Sequence, residues 1–450
     1  MFHRVFIANR GEVAARLVRA CRDMGIEPVC AASEPDLAAG FPYLEQAAEV
    51  VCLGPGAATD SYLKMEEVVQ AARQSHCTAL HPGWGFLAEN SLFAALCEQH
   101  GIKFIGPSPS VMDQMGLKVA ARAAANAAGL PVVPGSDGML TSVEEAIEMA
   151  ESIGYPVVLK ADAGGGGRGI RRCDDADEIK EAFVSAARES LAAFGNGDLY
   201  MEKYLVGGRH IEFQVIGDGH GKAIHLGERE CSIQRRHQKL LEEAPSPALS
   251  AEQRDYYGGL SAAAAAQWNY AGVGTMEYLL ADDGKLYFLE MNTRLQVEHP
   301  VTECITGIDL VQTQIRIAAG EGLPCKQEDV SWNGHAIEVR LNAEDPEQDF
   351  RPAPGRLKSF ELPQLDGIRV DSHLTTGSKI PPHYDSLIAK VIAHGGDRKA
   401  ATNTMLSALE QTRIEGVPTT AGLHIRILGC EDFQKGAFDT LWLTDFLERS

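Results

Sequence analysis

Short apolar runs alternate with amphipathic stretches over the first 115 residues. "RVFIA" reads as a buried strand, "GEVAARLVRACRDMG" as a helix ending at Gly25, and "IEPVCAAS" as a second strand. "EVVCLG", a helix near 62–75, "TALHPG", a helix near 89–100 and "IKFIGPS" continue the alternation. This order predicts a parallel sheet with helices on its faces, whose ligands sit at the carboxyl ends of the strands. "ANRGE" and "HPGWGFLAEN" fall at those ends. Neither contains G-x-G-x-x-G, so a dinucleotide dehydrogenase loses its main signature.

A helix-rich stretch follows, "VMDQMGLKVAARAAANAAG", then a helix near 142–153 and the apolar strand "YPVVLKA". The run "GGGGRG" comes next, and "GIRRC" reads as a returning strand. Four consecutive glycines forfeit backbone order, so the loop is either a linker or a flap that approaches something closely. No lysine follows them, which rules out a Walker loop. A strand–glycine loop–strand unit instead makes a lid whose N–H groups close over phosphates, with Lys160 just upstream as a point charge. From 199 to 245 the pattern gives strands around "YMEKYL", "HIEFQVIGD" and "AIHLGERE", and a helix is expected near 251–271.

The segment "GVGTMEYLLADDGKLYFLEMNTRLQVEHP" contains Asp283-Gly284, a two-residue hairpin signal. If that turn sets the register, Glu277 faces Glu290, with Asn292 on the same face. Two carboxylates about 5 Å apart repel by roughly 3 kcal/mol at an effective dielectric of 20. A divalent cation such as Mg²⁺ between them, shared with substrate phosphates, would relieve this; a solvated sheet face is the rival reading. If "NTRLQVEH" stays extended, Arg294, Gln296 and Glu298 project together, a cation, an amide and a base suited to a small oxyanion. His237 and Lys239, with Arg235 and Arg236, add positive charge. A helix near 308–319 follows. Beyond "LPCKQEDV" the pattern shifts to strands with many turns, "HAIEVRLNAEDP", "GRLKSFEL", "GIRVDSHL" and "SLIAKVIAHG", then a helix near 398–412.

Composition narrows the classes. The chain has 450 residues, 45% hydrophobic and 23% charged, too long for one core. Its net charge of −21 argues against nucleic acid. No apolar run is long enough for a membrane span. The N-terminus is Arg-rich like a transit peptide, but a strand beginning at residue 4 favours a folded start and a cytoplasmic enzyme. Ten scattered cysteines with no C-x-x-C fit a reducing compartment. Cys231 has basic neighbours that favour a thiolate, although a lone cysteine is more often inert.

Taken together, "IANRGE", "HPGWGFLAEN", "GGGGRG", "MEKYL", "RRHQK", "EMNTRLQVEHPVTE", "RLNAEDP" and "PPHYDSLIAK" resemble the biotin carboxylase family of ATP-grasp enzymes, over almost the whole chain. The resemblance implies an α/β and α+β architecture: an N-terminal parallel, Rossmann-like domain (1–115), an ATP-grasp domain (116–330) with a mobile lid at about 132–204, and a C-terminal mixed domain (331–446). It implies that ATP meets Lys118, Lys160, Gly166, Gly167, Glu202, Lys203, Leu205, His210, Gln234 and His237, together with Glu277 and Glu290. Mg²⁺ or Mn²⁺ would go to Glu277, Glu290 and Asn292. Bicarbonate would meet Lys239, Arg294, Gln296 and the Val297 backbone, with Glu298 as base. Biotin would lie near Trp84 and Arg340, the latter stabilising its enolate.

No A-M-K-M-like hairpin is present, so biotin is expected on a separate carrier, with the carboxyltransferase elsewhere and the chain itself a homodimer as in the family. Acetyl-CoA is the default final acceptor, with pyruvate and propionyl-CoA as alternatives. Another ATP-grasp ligase, or a nucleotide-binding regulator without activity, ranks second. Three positions depart from the family's pattern: Asp162-Ala163 replaces Ser-Gly, Leu117 an aspartate and Trp84 a tyrosine.

Overall fold

The structure, a computed structural model, describes residues 1–162 and 170–449. The opening alternation becomes a five-stranded parallel sheet with spatial order Glu49–Cys52, Glu27–Ala32, Arg4–Ile7, Ala79–His81, Lys103–Phe104. The helix Gly11–Asp23 buries Val13, Ala14, Leu17, Val18 and Cys21, one stripe at helical spacing. It stops where Gly25 takes φ +70, the left-handed conformation that ends helices. Strand order reverses beside Arg4–Ile7, so residues 8–12 and 82–86 emerge side by side. Asn9 locks them together: its Nδ2 donates to Pro82 O (2.6 Å) and Trp84 O (2.8 Å). Gly83, at φ +66, allows this approach, since a Cβ there would lie 2.9 Å from Asn9 Nδ2.

A smaller antiparallel sheet follows, Ile170–Cys173, Val157–Ala161 and Leu199–Lys203, covered by the helices Val143–Ile153 and Ala176–Phe194. The second of these helices is absent from the reading of the pattern. Its start is nevertheless encoded, because Asp175 accepts from the N–H groups of Asp177 and Glu178. The glycines between the first two strands, including Gly166 and Gly167, lie outside the described residues.

Eight of the remaining strands form one antiparallel sheet: Leu286–Asn292, Ala271–Leu280, Arg209–Asp218, Ala223–Arg235, Gln238–Ala244, His335–Asn342, Leu387–Gly395, Ile368–Ser372. Gln238–Ala244 pairs with His335–Asn342, so the turn-rich segment past residue 331 adds three strands to this sheet, while its shorter strands pair among themselves in two-stranded sheets. Between the two parts the chain runs through the helices His299–Thr306 and Leu310–Ala318. Only the second of these is expected from periodicity.

Candidate active site

The hairpin carrying Glu277 and Glu290 reaches the expected pairing by a different route. Its loop has three residues, Asp282 to Gly284: Ala281 N bonds Lys285 O (3.0 Å), Gly284 N bonds Ala281 O (2.9 Å), and Gly284 has φ +75. Strands near the loop are therefore one residue out of the expected register. An irregularity between Glu277 and Tyr278 restores it, and Glu277 does stand opposite Glu290. Glu212 lies opposite Glu277 on its other side, and Arg229 opposite Glu212. Three carboxylates and a guanidinium thus form one row across four strands.

Side-chain cations balance that row. Lys239 Nζ donates to Glu212 Oε2 (2.6 Å), Glu277 Oε1 (2.9 Å) and Glu298 Oε1 (2.8 Å). Arg229, fully buried, pairs with the other oxygen of Glu212 and donates to Gln214, Thr275 and Thr302. Lys118 bonds Glu290 Oε2 at 2.8 Å, and His210 lies 3.1 Å from Glu277 Oε2. The repulsion between Glu277 and Glu290 therefore needs no metal to relieve it. Burial alone would raise the Glu277 carboxyl, yet Lys239 and His210 hold it well below the usual carboxylate range. Burial would lower the Lys239 ammonium, and its three carboxylates raise it well above its ordinary value instead.

Past the hairpin the chain does not stay extended. Val297 and Glu298 form a turn into the helix His299–Thr306, with Pro300 near its start. The turn brings Glu298 to the site from a direction that simple alternation does not give. Its carboxylate is fully buried, with Oε1 on Lys239 and Oε2 on Arg340 Nη2 (2.8 Å). Burial pushes this carboxyl up, but Lys239, Arg340 and Arg229 outweigh that and keep it ionised, well below its ordinary value. Arg340 also donates from Nε to Glu242 (2.7 Å).

Arg294 is held by Glu89 (2.8 Å), Asn292 Oδ1 (2.9 Å) and Gln296 Oε1 (3.1 Å). The amide nitrogen of Gln296 is buried with no hydrogen-bond partner among the described residues. An unpaired buried donor costs about 1–3 kcal/mol, and a small oxyanion would satisfy it. Asn292 Nδ2 donates to Glu277 Oε1 (2.8 Å).

Lys160 pairs with Glu202, which also accepts from Arg122 (2.9 Å). The Lys203 ammonium turns away to the carbonyls of Gly154 (2.9 Å) and Tyr155 (2.8 Å). Leu205 is half-buried, and Gln234 is buried in the strand opposite Lys239. His237 sits exposed at the tip of a two-residue hairpin turn, where it and Arg236 both take positive φ (67° and 48°). Glycine or asparagine usually fills such positions, so this tip holds backbone strain beside the site. Trp84 is half-buried, its indole N–H enclosed and unpaired among the described residues. Cys231 is fully buried, and burial pushes its thiol well above its usual value, so it is no nucleophile.

The sequence reading passes over Glu89, Glu212, Arg229 and Glu242. Glu212 was accessible in principle: His210, Glu212 and Gln214 alternate with the core residues Ile211, Phe213 and Val215. Two departures from the family pattern also prove connected. The helix Lys118–Ala127 begins at Leu117, which offers no cap, and Asp162 Oδ1 accepts from Val119 N (2.9 Å) in its place.

Three sequence profiles match the chain: "Biotin carboxylase, N-terminal domain" over 1–112, "Carbamoyl-phosphate synthase L chain, ATP binding domain" over 118–326, and "Biotin carboxylase C-terminal domain" over 338–445. The chain is 50% identical to the biotin carboxylase of Nostoc sp., covering 99% of each. It is also 50% identical to the 2-oxoglutarate carboxylase small subunit of Hydrogenobacter thermophilus, over 99% of this chain and 94% of that one. A crystal structure of the Hydrogenobacter biotin carboxylase domain dimer, with MgADP, ADP and bicarbonate, superposes with a TM-score of 0.93 at 50% identity, covering 99% of this chain and 98% of that one.

Proposed function

Because the chain belongs to the biotin carboxylase family, and is therefore an ATP-dependent ligase, we propose that it carboxylates biotin on a separate carrier protein, using bicarbonate and ATP. The observation that carries this reading is Glu298: a fully buried, ionised carboxylate between Lys239 and Arg340, two residues from the unpaired Gln296 amide. A buried carboxylate held in its basic form, beside one donor left unpaired among the described residues, suits a small anion that must lose a proton.

In this scheme Lys239, Arg294, Gln296 and the Val297 backbone hold bicarbonate while Glu298 takes its proton. The freed oxygen attacks the γ-phosphorus of ATP and ADP leaves, giving carboxyphosphate. Carboxyphosphate breaks down to CO₂ and phosphate. The phosphate removes the ureido N–H proton of biotin, and the resulting nitrogen nucleophile bonds to CO₂. Arg340 stabilises the enolate oxygen, with Trp84 beside the ring. Lys118, Lys160, Glu202, Lys203, Leu205, His210, Gln234 and His237 hold the nucleotide, with Gly166 and Gly167 closing over its phosphates. Lid closure matters because water would destroy carboxyphosphate.

The donor set Glu277, Glu290 and Asn292 is all oxygen and suits Mg²⁺ or Mn²⁺, provided Lys239, Lys118 and Arg294 yield the oxygens they occupy here. When bound, the ion neutralises phosphate charge. The carrier and the carboxyltransferase are other chains, the enzyme is a homodimer like its Hydrogenobacter relative, and it works in the cytoplasm. Acetyl-CoA is the default final acceptor, although the Hydrogenobacter relative is named for 2-oxoglutarate. Glu298→Gln tests the reading. We expect bicarbonate-dependent ATP cleavage to fall by about 10²–10⁴-fold with nucleotide affinity nearly unchanged. Near-normal turnover would remove Glu298 from the mechanism.

A further inference from the structure

Two motifs remain without a task in this scheme, Glu12 in "ANRGE" and Lys390 in "DSLIAK". The structure joins them. Lys390 lies in the strand Leu387–Gly395 and is completely buried. Its Nζ donates to the carbonyl of Val297 at 2.9 Å and lies 3.1 Å from Glu12 Oε1. Glu12, in the first turn of the helix Gly11–Asp23, is itself buried, and neither of its oxygens has another hydrogen-bond partner among the described residues.

Val297 and Glu298 form the turn that enters the helix, where the Glu298 carbonyl accepts from Val301 N at 3.4 Å. The carbonyl of Gln296 is satisfied locally by His299, through Nδ1 (2.8 Å) and more loosely the backbone N (3.4 Å). For the Val297 carbonyl, the partner found among the described residues is Lys390. A buried ammonium is costly unless paired; Glu12 supplies the carboxylate in direct contact, and Asp371 and Glu338 are further acidic groups nearby. A neutral donor would meet the carbonyl's needs with less desolvation, so the charge calls for a reason beyond packing. A charge-assisted bond holds its acceptor about twice as strongly as a neutral one.

We propose that Lys390, anchored by Glu12, is a positioning residue that fixes the Val297–Glu298 peptide, and so sets both the backbone that meets bicarbonate and the carboxylate of the base. This rests on the bicarbonate reading of the site. It gives the N-terminal unit a direct hold on the reaction centre, across 285 positions of sequence between Glu12 and Val297. A displacement of about 1 Å at a reacting group costs on the order of 10²-fold in rate, so the effect belongs in bicarbonate use and not in nucleotide binding.

The test is Lys390→Met in the full chain, with Glu12→Gln/Lys390→Met as the companion that also neutralises the carboxylate nearest the lost ammonium, and Lys390→Arg as the conservative rescue. Steady-state kinetics with MgATP, bicarbonate and free biotin are read beside amide hydrogen exchange of residues 296–300. In the folded variants lacking the ammonium, kcat/KM for bicarbonate should fall by at least about tenfold. KM for ATP should stay within about twofold, amides at 297–299 should exchange faster, and Lys390→Arg should recover most of the loss. An unchanged kcat/KM for bicarbonate with unchanged exchange at 297–299 in the double variant would overturn the proposal. So would equal losses for ATP and bicarbonate with faster exchange throughout, which is a merely structural effect. If the unaltered protein shows no bicarbonate-dependent cleavage, the functional reading fails, while the exchange comparison still decides whether Lys390 holds the turn.

Discussion

Asp162 and Leu117 offer a quantitative check, because two deviations from one family's pattern meet at a single hydrogen bond. The helix Lys118–Ala127 begins with the lysine assigned to nucleotide, and its N-cap residue Leu117 has no side-chain oxygen. Asp162, 1% exposed, accepts from Val119 N–H, the donor a capping side chain normally takes. Asp162→Ala removes the acceptor and leaves a helix-terminal N–H unpaired. Loss of a cap costs about 1 kcal/mol, with a range of about 0.5–2. Opening of the helix's first turn should then be about five- to tenfold more frequent, read as faster amide exchange in residues 118–121. Lys118 stands in that turn with its ammonium on Glu290, so KM for ATP should rise a few-fold while KM for bicarbonate holds. Leu117→Asp supplies a local cap and should recover most of the loss when combined with Asp162→Ala. In the unaltered background it should add little, since Val119 N–H is already taken. The two changes should therefore couple by about 1 kcal/mol, well beyond the additivity expected of independent sites. Equal effects of Leu117→Asp in both backgrounds would show that Asp162 does not replace the missing cap.

Two further outcomes follow from the charge row. Glu290→Gln weakens one oxygen ligand, so the Mg²⁺ concentration for half-maximal activity should rise severalfold; an unchanged Mg²⁺ titration would place the metal elsewhere. Lys239→Met leaves Glu212, Glu277 and Glu298 facing one another around the vacated space. In the unaltered protein the folded Glu277 and Glu298 carboxyls titrate below their unfolded values, so they contribute stability above about pH 4.5 that is lost as pH falls. In the variant, carboxyls of this cluster rise above the unfolded value, and their contribution is lost as pH increases. The variant should be less stable by about 3–5 kcal/mol at pH 8, and the deficit should shrink toward pH 5. A deficit independent of pH would refute the electrostatic account.

The sequence carried the local elements well, because apolar periodicity is a local signal. It led to the correct Glu277–Glu290 pairing through a cancellation: the three-residue loop shifts the register one way, and the irregularity beside Glu277 shifts it back. It failed where the backbone departs from a repeating conformation, as at Val297–Glu298, which turns where alternation expects a strand. The helices Ala176–Phe194 and His299–Thr306 went unread although each carries a start signal, Asp175 in one and Pro300 in the other. The partners of the site were least legible. Glu89 meets Arg294 across 205 positions, and Arg340 meets Glu242 across 98. The second is set by strand order in the eight-stranded sheet and the first by how the N-terminal unit packs against it, and no local pattern contains either.

The central claim, that this site activates bicarbonate with ATP for transfer to biotin, is tested most directly by phosphate release from MgATP with bicarbonate and free biotin each added or withheld. The account predicts release that requires bicarbonate, rises further with biotin, and yields carboxybiotin. ATP cleavage indifferent to bicarbonate, or cleavage that biotin neither stimulates nor captures as carboxybiotin, would contradict it.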